Sequence, residues 1–222
     1  TRLLQDVMED LHRQEGVARS RASLWTQRDI KLFASTEGAR IHFDLLAGYG
    51  GFSATAVKDG RFVSRDFNTP HARLGYELIE EARFREQAAR VAAEVVEKHN
   101  APQVEPGKYD LLLDPEHLSL TIHESCGHPT ELDRALGYEA NYAGTSFPTP
   151  DKLGTFKYGS PQITLIADNT EPGTLAATGY DDDGVAGQRW DIIREGVFSG
   201  YSTNREVAGR INEARSRGSN RA

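Results

Sequence analysis

Residues 121–133 read TIHESCGHPTELD, and His123, Glu124 and His128 are the groups in it that can carry chemistry. Hydrolysis at zinc needs neutral imidazoles on the metal, a carboxylate near the attacking water and at least one open coordination position. In the common form of such a motif the two histidines stand four apart and lie about 40° from each other around an ideal helix. Here they stand five apart, which on an undistorted helix separates them by about 140°. Gly127 and Pro129 flank His128, and both residue types weaken or end helical geometry. A single wide π-type turn would return positions five apart to one face. The stretch therefore predicts a helix that loosens or ends around Gly127. The metal-free alternative is an exposed helix end, with His123 capping, Glu124 solvated and His128 on the last carbonyls.

Upstream, Pro115 can open this helix as its first-turn residue, and YDLLLDP before it reads as a short buried strand. The two prolines and the glycine of NAPQVEPGK mark a domain boundary. From Tyr76 to about His99 a stripe of Leu78, Ile79, Ala82, Phe84, Ala88, Val91, Val95 and Val96 predicts a long helix. ARIHFDLLAGYGG and FSATAVKDGRFVSRDF alternate as strands do, with Asp-Gly as the tight turn of a hairpin. Residues 2–13 form an amphipathic helix closed near Gly16. Downstream, PQITLIAD reads as a strand, RWDIIREGVFSGY as a hairpin turning at Arg194, Glu195 and Gly196, and NREVAGRINEAR as a helix. The class is α+β: mixed or antiparallel sheets with hairpins and packed helices, and the histidine motif on a helix.

The 222 residues, 38% of them hydrophobic, suffice for one large domain or two small ones. No apolar run approaches the roughly 18 residues of a membrane span, and the N-terminal stretch is charged and amphipathic, so the expected location is cytoplasmic and away from membranes. A net charge of −7 argues against a nucleic-acid partner. The basic tail, Arg205, Arg210, Arg215, Arg217 and Arg221, is interrupted by Glu206 and Glu213 and reads as a solvated helix face. Cys126 is the lone cysteine, which fits a reducing compartment and removes any all-cysteine metal site within one chain.

HESCGHPTELD, followed by EANYAGTSF, YDDDGVAGQ and IIREGVFSGY, resembles the TldD/PmbA family of zinc-dependent peptidases, and specifically its TldD-like members. The likeness is clearest from about Tyr109 to Ala222. STEGARIHFDLL and the helix after GYELI are similar to the end of the family's N-terminal domain. The resemblance implies that residues 1–100 are the C-terminal part of that α/β domain and residues 101–222 the first part of the C-terminal metallopeptidase domain. It implies zinc on His123 and His128, with Glu124 as the catalytic base that activates metal-bound water. The third ligand is then a cysteine downstream of this chain, and Thr1 lies inside a longer protein. PmbA-like members usually lack the motif. The implied substrate is an unfolded or extended peptide, and the implied assembly a homodimer or a heterodimer with a PmbA-like subunit. The alternative, for so short a piece, is a catalytically inactive peptide-binding or subunit-interaction protein.

Other residues admit two readings. Cys126 can be a third ligand three residues after His123, or a small residue packing the motif helix onto the sheet. Glu131 is a candidate acceptor for a ligating histidine's second N–H, or a solvated loop carboxylate; Asp133 fits the solvated role better. Asp181, Asp182, Asp183 and Gly184 suit a turn better than a hard-metal site. Gly48, Gly50 and Gly51 suit a sheet bend or turn better than a nucleotide-binding loop.

Overall fold

In the first hairpin, Asp59 and Gly60 both take positive φ, 52° and 76°. That is the twist a two-residue turn needs to join right-handed strands. The structure, a computed structural model, describes residues 2–81 and 83–220, so Ala82 and Arg221 lie outside the described residues. The turn joins β2 (Arg40–Lys58) to β3 (Arg61–Asn68) in antiparallel register, Lys58 opposite Arg61 and Gly51 opposite Asn68. β1 (Val17–Ala34) completes a sheet of order β1-β2-β3. No strand is expected at 17–34 from the sequence. Most residues of β1 are exposed, so it lacks the buried alternate face that makes a strand legible.

The chain divides into two compact units. The first comprises residues up to Lys31, 44–108 and 173–175; the second comprises 32–43, 109–172 and the residues from Ala176 onward. In the first, α1 (Arg2–His12) and α3 (Phe84–Asn100) bury Val7, Leu11, Phe84, Ala88, Val91 and Val95 with Phe52, Ala54 and Ala56 of β2. The helix expected from Tyr76 is interrupted. A short α2 (Glu77–Glu81) precedes α3, and Arg83 before α3 is left-handed at φ 48°. Gly50 lies within β2, not in a bend. A Cβ there would come within 2.5 Å of the Ile79 Cδ1, so a helix packs on the strand only where no side chain intervenes. α3 ends at Asn100, and Ala101 is extended ahead of Pro102, as a residue before proline must be.

In the second unit, β4 (Leu165–Asp168), β5 (Arg189–Arg194) and β6 (Val197–Phe198) form an antiparallel sheet in that order. The β5–β6 turn again places two residues at positive φ, Glu195 at 46° and Gly196 at 79°. Leu132, Phe198, Tyr201 and Val207 make one buried cluster; Trp190, Ile192 and Ile193 make another. Two expected elements do not form. YDLLLDP is neither a strand nor buried, with Leu111 76% and Leu112 101% exposed: an apolar run predicts burial only where another element covers it. NREVAGRINEAR yields only a 3₁₀ turn, Ala208–Ile211. Asn204 starts it by accepting from the Glu206 and Val207 N–H groups, but Asn212 turns left-handed at φ 59° and ends it. The tail is therefore not a solvated helix face. Arg205 forks onto Glu37 at 2.8 Å, and Arg217 pairs with Glu213.

Candidate metal centre

The helix that carries the motif, α4 (Pro115–Ile122), is started by Asp114, whose side chain accepts from the Glu116 N–H at 2.9 Å, with Pro115 in the first turn. At His123 the pitch changes. Residues His123–Gly127 form one π-helical turn, in which the His128 N–H donates to the His123 carbonyl five residues back. This widening cancels the excess rotation of a five-residue spacing. The His123 and His128 rings consequently meet edge to face, with centroids 4.3 Å apart. One ligand atom from each of His123, Glu124 and His128 lies within 4.8 Å of the others. Among the described residues, this is the only group of three His, Cys, Asp or Glu side chains so placed.

The far side of the turn is fastened to the unit's core. His128–Thr130 tighten into a 3₁₀ turn containing Pro129. Thr130 is fully buried, and its hydroxyl donates to the Cys126 carbonyl at 2.7 Å while lying 3.1 Å from that of Gly127. The Tyr158 hydroxyl donates to the Ser125 carbonyl at 2.6 Å. Backbone bonds from Ser202 to Thr130 and from Leu132 to Ser202 tie the next residues to the segment after β6, and α5 (Leu132–Ala135) buries Leu132 against Phe198 and Tyr201.

Glu131 lies beside His128, with both carboxylate oxygens 3.1 Å from Nδ1. A proton held there on Nδ1 leaves Nε2 with its lone pair for a metal. Cys126 turns the other way. It is partly buried against Trp190, Ile192 and Ile193, and burial raises its thiol pKa, opposed by a hydrogen bond with Tyr158. It is therefore not among the three clustered donors. Asp133 accepts from the Arg134 N–H at 2.8 Å and faces Asn204, not a histidine. Asp181 is fully buried and accepts from the N–H groups of Asp183, Val185 and Asn220, a loop clasp that engages both its carboxylate oxygens. Sequence reasoning missed Thr130, Tyr158 and Ser202. Thr130 stands beside the motif and offered a weak signal; Tyr158 lies 33 residues from the carbonyl it meets and offered none.

Two imidazoles and a carboxylate on an exposed face fit zinc, which takes nitrogen and oxygen donors and, in a reactive site, keeps a position open. The family profile of the PmbA/TldA metallopeptidase C-terminal domain matches residues 106–221, more than half of the chain. The chain belongs to this PmbA/TldD family. A metalloprotease of Methanocaldococcus jannaschii is 30% identical to this family member over 181 residues, covering 82% of the chain and 38% of the relative. A metalloprotease of Synechocystis sp. is 31% identical over 163 residues, covering 73% of the chain and 33% of the relative. The chain thus spans two fifths or less of the length of these relatives. Among solved structures, a Thermotoga maritima protein named as a candidate modulator of a DNA gyrase superposes with a TM-score of 0.74 at 18% identity, over 97% of this chain and 47% of that one. TldE of Thermococcus kodakarensis gives 0.62 at 18% identity, over 97% and 46%. At that identity the likeness is one of fold. Among the described residues no helix is long and apolar enough to cross a membrane.

Proposed function

We propose that this chain carries the reactive centre of a zinc-dependent peptidase, and that it works as part of a longer, cytoplasmic protein. The observation that carries the reading is the π-helical turn, which gathers His123, Glu124 and His128 despite their unfavourable spacing. His123 and His128 would hold the metal, a cysteine outside this chain would complete the protein ligands, and Glu131 would orient His128. Zinc, when bound, supplies a Lewis acid that polarises a carbonyl and makes water more acidic. Glu124 takes a proton from the attacking water as its oxygen bonds to the peptide carbonyl carbon, and gives that proton to the amine nitrogen as the C–N bond breaks. The His123 and Glu124 side chains are 57% and 62% exposed, so an extended backbone can lie across them. Unfolded peptides are accordingly the substrate class. The expected assembly is a homodimer or a heterodimer with a PmbA-like subunit.

A second reading, peptide or subunit binding without turnover, is favoured by the ligand count: the described residues provide two imidazoles, and a stable zinc site ordinarily uses three protein ligands or more. One experiment separates the two. The full product of the gene, loaded with zinc and given an unfolded polypeptide, should generate new amino termini; chelation should stop this and added zinc should restore it. Peptide binding without new termini under the same conditions would select the second reading.

A further inference from the structure

We infer that Tyr158 and Thr130 are positioning residues whose hydroxyls hold the motif turn at its five-residue pitch; the inference builds on the metal site proposed above. In a regular α-helix the Ser125 carbonyl would accept from the N–H of residue 129, and residue 129 is proline, which has none. The Tyr158 hydroxyl, 2.6 Å from that carbonyl, supplies the missing donor from outside the helix. The Thr130 hydroxyl takes up the next carbonyl, that of Cys126, at 2.7 Å. The Thr130 bond is part-buried, where a carbonyl left without a donor is costly, and the Tyr158 bond, at an exposed residue, adds a second tie, so the two hydroxyls favour the wide turn over a frayed end.

Both donors are themselves fixed. The Tyr158 N–H donates to the Gly196 carbonyl at 2.7 Å, and its ring packs against Phe147 and Phe156 with centroids 5.3 and 5.7 Å away. Thr130 is fully buried, and its carbonyl accepts from the Ser202 N–H at 2.8 Å. Neither residue is in the group that could touch the metal. Each acts through the backbone between His123 and His128, in the way that residues supporting metal ligands do.

The test uses Tyr158→Phe, Thr130→Val and Thr130→Ser in the full gene product, with two readouts. Zinc affinity is measured by competition with a chromophoric chelator. Proximity of the two imidazole rings is measured in the metal-free chain by histidine-selective NMR. Tyr158→Phe and Thr130→Val should each weaken zinc binding about tenfold and lose the cross-peak between the His123 and His128 rings, whereas Thr130→Ser, which keeps the hydroxyl, should match the parent within about twofold. Unchanged affinity and an unchanged cross-peak in Tyr158→Phe and Thr130→Val would overturn the inference, as would a Thr130→Ser variant as impaired as Thr130→Val. If the parent protein takes up no zinc, the proposed metal site fails, and the cross-peaks alone still decide whether the hydroxyls set the turn.

Discussion

Glu124→Gln in the full gene product should lower kcat for peptide hydrolysis by about 10²- to 10⁴-fold, the range a positioned general base contributes, while zinc content stays that of the parent. The amide has the shape of the carboxylate and cannot accept the proton. Its side chain is 62% exposed and buries nothing the fold requires, so a loss of activity would not arise from unfolding. Turnover within about threefold of the parent would remove Glu124 from the reaction. Equal loss of zinc and of turnover would make it a ligand in place of a base.

Phe198→Ala should destabilise the second unit by about 3–5 kcal/mol, the usual cost of truncating a buried phenylalanine. Phe198 is fully buried, meets Tyr201 edge to face at 4.8 Å, and shares its cluster with Leu132 and Val207. The Leu132 backbone carries the chain on from Glu131, so the damage should reach the metal centre as weaker zinc binding. Urea unfolding followed by tryptophan emission in a Trp25→Phe background, where Trp190 alone remains, reports this unit; a change below about 1 kcal/mol would mean that the cluster is looser than its packing indicates.

How much of this could be read from the sequence depended on how local each cause was. The two hairpins were legible because Asp59-Gly60 and Glu195-Gly196 each set their turn within two residues. The turn at His123 was legible as a requirement: a five-residue spacing, with Gly127 and Pro129 beside it, left few ways to bring two histidines together. Its supports were not, since Tyr158 and Ser202 arrive from distant segments. The errors have the same origin. β1 buries too little to show an alternating face, the Leu111–Leu113 run finds no cover among the described residues, and the amphipathic pattern after Asn204 is cut short by a left-handed Asn212. Cys126 shows how one residue's context settles a choice that spacing leaves open. It lies within three residues of His123, yet it packs on β5.

The proposed metal site depends on the π-helical turn that brings His123 and His128 together. Zinc per chain, measured by elemental analysis of the full gene product after zinc loading and dialysis, is compared between the parent and the variants His123→Ala and His128→Ala. One zinc per chain is expected in the parent and almost none in either variant. Zinc retained in full by either variant, or absent from the parent, would mean that these two histidines do not form the site.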